Sequence, residues 1–180
     1  MTAKTHVAMN MISAATLAEV GYFTVLSDSF HLSGLVREIQ GFLTDNGKMP
    51  QVLFYALCIA LYIFGAYLPD ADCEYSVVGK IVHVPIEHRT WMHSIWFVLL
   101  FFIPGLWFRP LVYLAAGCFF HIFWDSFSKA GISWFYPKRN KHHIFRIYHT
   151  HNTSEYVFGM CVLILFAGCS VLMVLYSGII

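Results

Sequence analysis

Charge is what this sequence has least of. Only 12% of its 180 residues are Asp, Glu, Lys or Arg, whereas 58% are apolar and 18% are aromatic. A soluble domain carries about 25% charged residues, so a chain of one-domain length could not coat itself for water with half that supply. Net charge is scarce as well. Eleven basic residues face ten acidic ones, which excludes the strongly basic balance of a nucleic-acid-binding protein. Cysteine is sparse and scattered: Cys58, Cys118, Cys161 and Cys169 fall in apolar runs, where a thiol acts as a small hydrophobe, and Cys73 stands alone in a connection. No Cys-x-x-Cys pair occurs, so neither a disulfide framework nor a structural zinc knuckle is expected. Repeats, low-complexity tracts and long linkers are also missing, which leaves one domain over residues 1–180.

What the chain does have is long apolar runs. Residues 51–68 and 157–178 carry no charge, 91–108 has only His93 as an ionisable group, and 111–128 has only His121 and Asp125. Each is long enough to cross a hydrocarbon core of about 30 Å as a helix. A fifth run, 7–26, contains Asn10, Ser13, Thr16 and Glu19; its small face (Ser13, Ala14, Ala15, Ala18) suits helix packing in a bundle. A signal peptide is the competing reading, but one early lysine and a glutamate inside the apolar stretch fit it poorly. The expected fold is therefore all-α, a polytopic membrane helix bundle with about five transmembrane helices.

Basic residues set the orientation. With five spans, Lys4, Lys80, Arg89, Lys129, Lys138, Arg139, Lys141 and Arg146 share one side, against Arg37, Lys48 and Arg109 on the other. The positive-inside rule makes the first side cytoplasmic. The N-terminus is then cytoplasmic and the C-terminus outside, with membrane lipids as the partners. In the first outer connection, Leu32, Leu35, Val36, Ile39, Phe42 and Leu43 recur at helical spacing. That suits either a short helix along the membrane surface or a loop packed on the bundle.

The few ionisable groups are not spread along the spans. Asp70 and Asp72 follow the second run, His88 and His93 bracket the start of the third, and His121 and Asp125 lie near the end of the fourth. His6 precedes the first and Glu155 opens the last. On this topology all of them reach one cytoplasmic rim. His and carboxylate groups are the ligands of zinc, manganese and iron. His121 and Asp125 are spaced i, i+4, so both leave one helix face about 6 Å apart along the axis. An intramembrane Asp is costly and points to function. Each residue also has a plain structural reading: His121 as an interhelical hydrogen bond, Asp125 as the neutraliser of Arg89, Asp70 as a turn or cap. Asn152-Thr-Ser-Glu155 reads as a capping box as readily as part of a site. His149-x-His151 has chelating spacing, but exposed loop histidines are the plainer account.

Leu68-Pro-Asp-Ala-Asp72, His88-Arg-x-x-x-His93-Ser94, His121-x-x-x-Asp125, and the trailing Gly131 and Pro137 together resemble the LexA-regulated, membrane-bound metal-dependent hydrolases, the YdjM-like proteins. Thr5-His6 and Asn152-Thr-Ser-Glu155 fit the same pattern, so the resemblance runs from residue 5 to about 160. It implies an integral membrane protein with a metal-dependent hydrolase site and an unassigned substrate. Two positions depart from the pattern: Thr90 stands for a glycine and Met92 for a threonine. The first restricts a turn, and the second removes a hydroxyl.

The mechanism expected from these residues uses one or two divalent metals, zinc first and manganese or iron as the other candidates. Asp70, His88, His93, His121, Asp125 and His6 are the candidate ligands. Asp72 would be a base, a bridging ligand or a partner of a histidine, Arg89 would hold a phosphate oxygen, and Glu155 would assist catalysis. The basic, aromatic loop around Lys138 and Arg146 would face acidic lipid. These features favour a phosphoester or lipid-like substrate. Two rivals stay open. A non-catalytic scaffold would use the same residues for a structural metal, and an ion or proton transporter would need ionisable groups through the membrane depth, where only Glu19 is clearly deep.

Overall fold

Backbone amides in long apolar runs can be satisfied without water only by helices or closed barrels, and this chain takes the helical solution. The computed structural model describes residues 3–26, 33–138, 145–150 and 152–177, with helix side chains described except at 3, 4, 6, 7, 19–26, 33, 173, 174, 176 and 177. Six α-helices follow in order: α1 (Ala3–Leu26), α2 (Ser33–Thr44), α3 (Gln51–Tyr67), α4 (Ile95–Gly105), α5 (Pro110–Asp125) and α6 (Thr153–Ser177). Two 3-10 turns join them, Leu68–Asp72 directly after α3 and Trp91–His93 before α4. Among the described residues there is no β-strand; Ser128 and Tyr148 form an isolated bridge.

The helices are fewer and shorter as membrane crossers than the runs suggest. Among the described residues two are long and apolar enough to span, Gln51–Asp72 and Thr153–Leu172, rather than five. α4 has 11 residues and α5 has 16, about 16 Å and 24 Å of rise against a core of about 30 Å. The apolar run at 91–108 loses both ends to turns. Trp91–His93 coil into the 3-10 turn, Ser94 is extended, and Pro104 and the turn after Gly105 close the helix. The backbone N–H of Ile95 is taken by the Trp134 carbonyl at 2.9 Å. α5 begins on Pro110, whose missing N–H costs nothing at a first helical position.

α3 and α5 form the centre of the bundle because glycine lets their backbones touch. A Cβ on Gly65 would meet the Leu114 carbonyl oxygen, and one on Gly117 would meet that of Tyr62. Small residues at such a crossing give the close approach typical of membrane helices. α1 packs with Met9, Asn10 and Ser13 buried, whereas Ala15 and Ala18 are exposed. The inward face thus differs from the Ser13–Ala14–Ala15–Ala18 face expected. Asn10 donates to the Gly117 carbonyl (3.3 Å), and its own carbonyl accepts the Tyr62 hydroxyl (2.6 Å). Of the two readings of residues 31–43, the helix is the one present, as α2, with Leu35 and Ile39 exposed. At the α2 end of the bundle Lys48 and Arg109 line a common cavity of about 300 Å³. The acidic and histidine residues gather at the opposite ends of α3 and α5.

Candidate metal centre

Four pieces of backbone deliver the cluster. The 3-10 turn after α3 carries Asp70 and Asp72, the turn before α4 carries His93, the left-handed residue Arg89 (φ 63°) precedes it, and the last turn of α5 carries His121 and Asp125. The positive φ falls on Arg89, while Thr90, at the position where a glycine was expected, has a negative φ of −111°. Thr90 closes the turn by donating its hydroxyl to the Glu87 carbonyl. Met92 turns away from the cluster and is buried in an apolar group with Ala71 and Phe97.

His93 is the centre. Its ring is fully buried, and neither ring nitrogen has a hydrogen-bond partner. Nε2 stands 3.6 Å from Asp70 Oδ1 and 3.7 Å from Asp125 Oδ2. His121 Nε2 stands 3.4 Å from the same Asp70 oxygen. These separations are too long for good hydrogen bonds, but they are close to the edge lengths of a coordination polyhedron. Four donors placed tetrahedrally at 2.0–2.2 Å from one ion lie about 3.3–3.6 Å apart. Two sets of donors could hold an ion, His93–His121–Asp125 and Asp70–His88–His93, and they share His93.

The surroundings fix the donors. The Ala66 carbonyl lies 2.7 Å from His121 Nδ1 and can only accept, so that nitrogen carries the proton and the lone pair is on Nε2. Asp72 is fully buried and faces two histidines: Oδ1 is 2.7 Å from His88 Nδ1, and Oδ2 is 3.5 Å from His93 Nδ1. It also accepts the Arg89 backbone N–H at 3.3 Å. His88 has a side chain 40% exposed, so it forms the open rim of an otherwise closed group.

Arg89 closes the other side. Its Nη2 pairs with Asp125 Oδ2 at 3.1 Å, and its Nη1 donates to Ser128 Oγ (3.1 Å) and the Gly131 carbonyl (3.4 Å). Ser128 in turn donates to the Asp125 carbonyl at 2.7 Å. Asp125 therefore neutralises Arg89 and faces His93 with the same oxygen. The charges do not balance. With neutral histidines, Asp70, Asp72 and Asp125 against Arg89 leave a formal −2 in a group whose carboxylates are at most 15% exposed. Burying such a charge uncompensated is prohibitive, and one divalent cation cancels it. The donor set, its spacing and its charge thus fit a divalent metal.

Of the residues singled out from sequence, Asp70, Asp72, His88, Arg89, His93, His121 and Asp125 come together. Glu155 is fully buried on the first turn of α6, one turn before Gly159, which faces Thr5 of α1. The side chain of His6 lies outside the described residues, as do His142, His143 and His151; His149 is exposed. Tyr148 is the residue the sequence did not disclose. It is fully buried, its hydroxyl donates to the Trp124 carbonyl at 2.9 Å, and its phenol is pushed upward by burial and then by Asp125, with Arg89 opposing and Glu155 adding. It links Glu155 electrostatically to the margin of the cluster.

Comparison with curated proteins and with solved structures gives no match. A family model does match: that of the YdjM inner membrane proteins covers residues 1–179. With nearly its whole length matched and its acidic and histidine residues gathered at one end of a helical bundle, this chain belongs to the YdjM inner membrane protein family.

Proposed function

We propose that the protein is a membrane-embedded, divalent-metal-dependent hydrolase acting on a phosphoester, with its site at the cytoplasmic face of the inner membrane. The observation that carries this reading is the buried His93 imidazole, unbonded at both nitrogens and set at ligand-to-ligand distances from Asp70 and Asp125. Asp70, His93, His121 and Asp125 would hold the ion, with zinc favoured by the tetrahedral spacing and the mixed N/O donors. When bound, such an ion supplies Lewis acidity toward a phosphoryl oxygen and lowers the pKa of a water molecule.

The chain's own groups supply the rest. Asp72 accepts the His88 Nδ1 proton, which directs the His88 Nε2 lone pair to the exposed rim. There it can take a proton from attacking water and return it to the leaving oxygen. This makes His88 a proton carrier and Asp72 its orienter, a division of labour different from the ligand role expected for His88. Arg89 offers a planar fork already held by Ser128 and Gly131, suited to a phosphate oxygen. Lys80, Arg89, Lys129 and Lys138 are on the cluster side of the chain's connections, which supports a cytoplasmic site and a polytopic course in which α4 and α5 accompany the longer α3.

A second reading has its own observation. If Asp70, His93, His121 and Asp125 all bound one ion, the set would be closed, as structural ions prefer, and a scaffold would need no more. Metal analysis of detergent-purified wild type, His93→Ala and Asp125→Ala comes first. Substoichiometric metal in all three sinks both readings. Metal in wild type alone, with turnover of bis-p-nitrophenyl phosphate that His88→Ala abolishes without loss of metal, selects the hydrolase; metal without turnover selects the scaffold.

A further inference from the structure

Beside the cluster is a cavity of about 230 Å³ with no polar side chain in its lining. Phe64, Leu68, Ala71, Val78, Val82 and Met92 form most of its wall. Two of these join it to the site through the backbone: Ala71 lies between Asp70 and Asp72, and Met92 precedes His93. The loop that closes it is tied to the same turn, since Val84 N–H donates to the Ala71 carbonyl (3.0 Å) and the Ser76 hydroxyl to the Asp70 carbonyl (2.6 Å). A shift of this lip is therefore felt at the carboxylates.

The mouth of the cavity does not face water by composition. Tyr75 is 86% exposed, Ile81 80% and Val82 60%, on a loop of the cluster end. On α3, Val52 and Ile59 are also exposed, and so is Phe64, which lines the cavity. Such surfaces belong in the boundary between headgroups and acyl chains. The cavity is smaller than a pocket that encloses a whole small molecule, so it suits a stretch of hydrocarbon whose remainder stays in the bilayer.

We infer that this cavity receives the first methylenes of a lipid chain, so that the substrate is a membrane lipid whose phosphoester headgroup enters the cluster sideways from the cytoplasmic leaflet. The inference rests on the hydrolase reading and adds the substrate class to it. The headgroup meets Arg89 and the histidines, while the chain lies on the far side of the Asp70–Asp72 turn. Specificity then comes from chain length as well as from charge.

The test fills the cavity from its exposed side. Val82→Trp is assayed beside wild type on dioleoyl and dihexanoyl phosphatidic acid in mixed micelles, with metal content and Tm as controls for folding. Wild type is expected to favour the long chain at least tenfold in kcat/KM, and Val82→Trp to lose that preference. A preference that survives in Val82→Trp, or is missing from wild type, overturns the inference even where bis-p-nitrophenyl phosphate is hydrolysed. If wild type hydrolyses no phosphoester, the hydrolase reading fails, and photo-labelling decides the cavity separately. A diazirine on the acyl chain of phosphatidic acid should mark residues 78–84 more than the same group on phosphatidylcholine, and should do so in wild type but not in Val82→Trp. Equal labelling by both lipids means annular lipid only, and overturns it.

Discussion

Asp70→Asn separates a metal centre from a network of His–Asp ion pairs. Asp70 Oδ1 is shared between His93 Nε2 at 3.6 Å and His121 Nε2 at 3.4 Å. The asparagine keeps size and the backbone contacts: the Asp70 carbonyl still accepts the Ser76 hydroxyl and the Cys73 N–H. If the three carboxylates await a cation, the formal −2 of the metal-free group falls to −1, and the variant with chelator should melt at or above wild type. With metal the order reverses. An ion at 100 times its Kd stabilises wild type by about 2.7 kcal/mol, and at about 2–4 °C per kcal/mol for a chain of this size that is a rise of roughly 5–11 °C. Asp70→Asn, short of one ligand, should gain less than half of it. The assay is apparent Tm of detergent-purified protein, with EDTA and then with excess zinc. A variant that melts well below wild type in EDTA and gains the same increment with zinc would refute the reasoning, because Asp70 would then be a structural partner of charged histidines.

Asp72→Asn should keep the ion but cut turnover about 10–100-fold, the usual loss when the partner of a ligand histidine is removed, read as metal content against kcat. Arg89→Lys retains one positive charge but not the fork to Asp125, Ser128 and Gly131. A lost charge-assisted hydrogen bond is worth about 1.5–3 kcal/mol, so kcat/KM for a phosphoester should fall roughly 10–150-fold with metal content unchanged. Gly117→Ala puts a Cβ against the Tyr62 carbonyl oxygen and within 3.0 Å of Ala66 N. It should cost about 1–3 kcal/mol as overpacking, whereas Gly168→Ala, with nothing within 4 Å, should be neutral or slightly stabilising. Apparent Tm of the two variants checks both.

The cluster was legible in the sequence because the chain is so poor in charge. In an apolar background each Asp or His needs a reason, and the placement of Asp70, Asp72, His88, His93, His121 and Asp125 at run ends is itself the signal. The helix class was legible for the same cause, but helix length was not. Hydropathy counts Trp91, Met92 and Trp107 as ordinary membrane residues, while delivering His93 beside Asp125 requires a tight turn that shortens α4 to 11 residues. Backbone acceptors are invisible in the same way: nothing in the identity of Ala66 announces that its carbonyl selects the His121 tautomer.

Roles within the cluster were the least legible, because they depend on which way two residues of one 3-10 turn point. Asp70 and Asp72 are chemically alike and two positions apart. In a helix-like turn that spacing sends them to different sides, and here one faces His93 and His121 together while the other faces His88 and the back of His93. Exposure then decides between them. A carboxylate buried behind a half-exposed histidine can orient that ring and stabilise its charged form, but it has no path to substrate of its own. A carboxylate between two imidazole nitrogens that face inward is not placed to orient either ring from behind: the Ala66 carbonyl holds the far side of His121, and Asp72 lies 3.5 Å from the far nitrogen of His93. On the proposed reading, Asp70 belongs with the ion and Asp72 with the proton. His88, which also stands in the Asp70–His88–His93 donor set, would then serve at the rim where a proton must enter and leave.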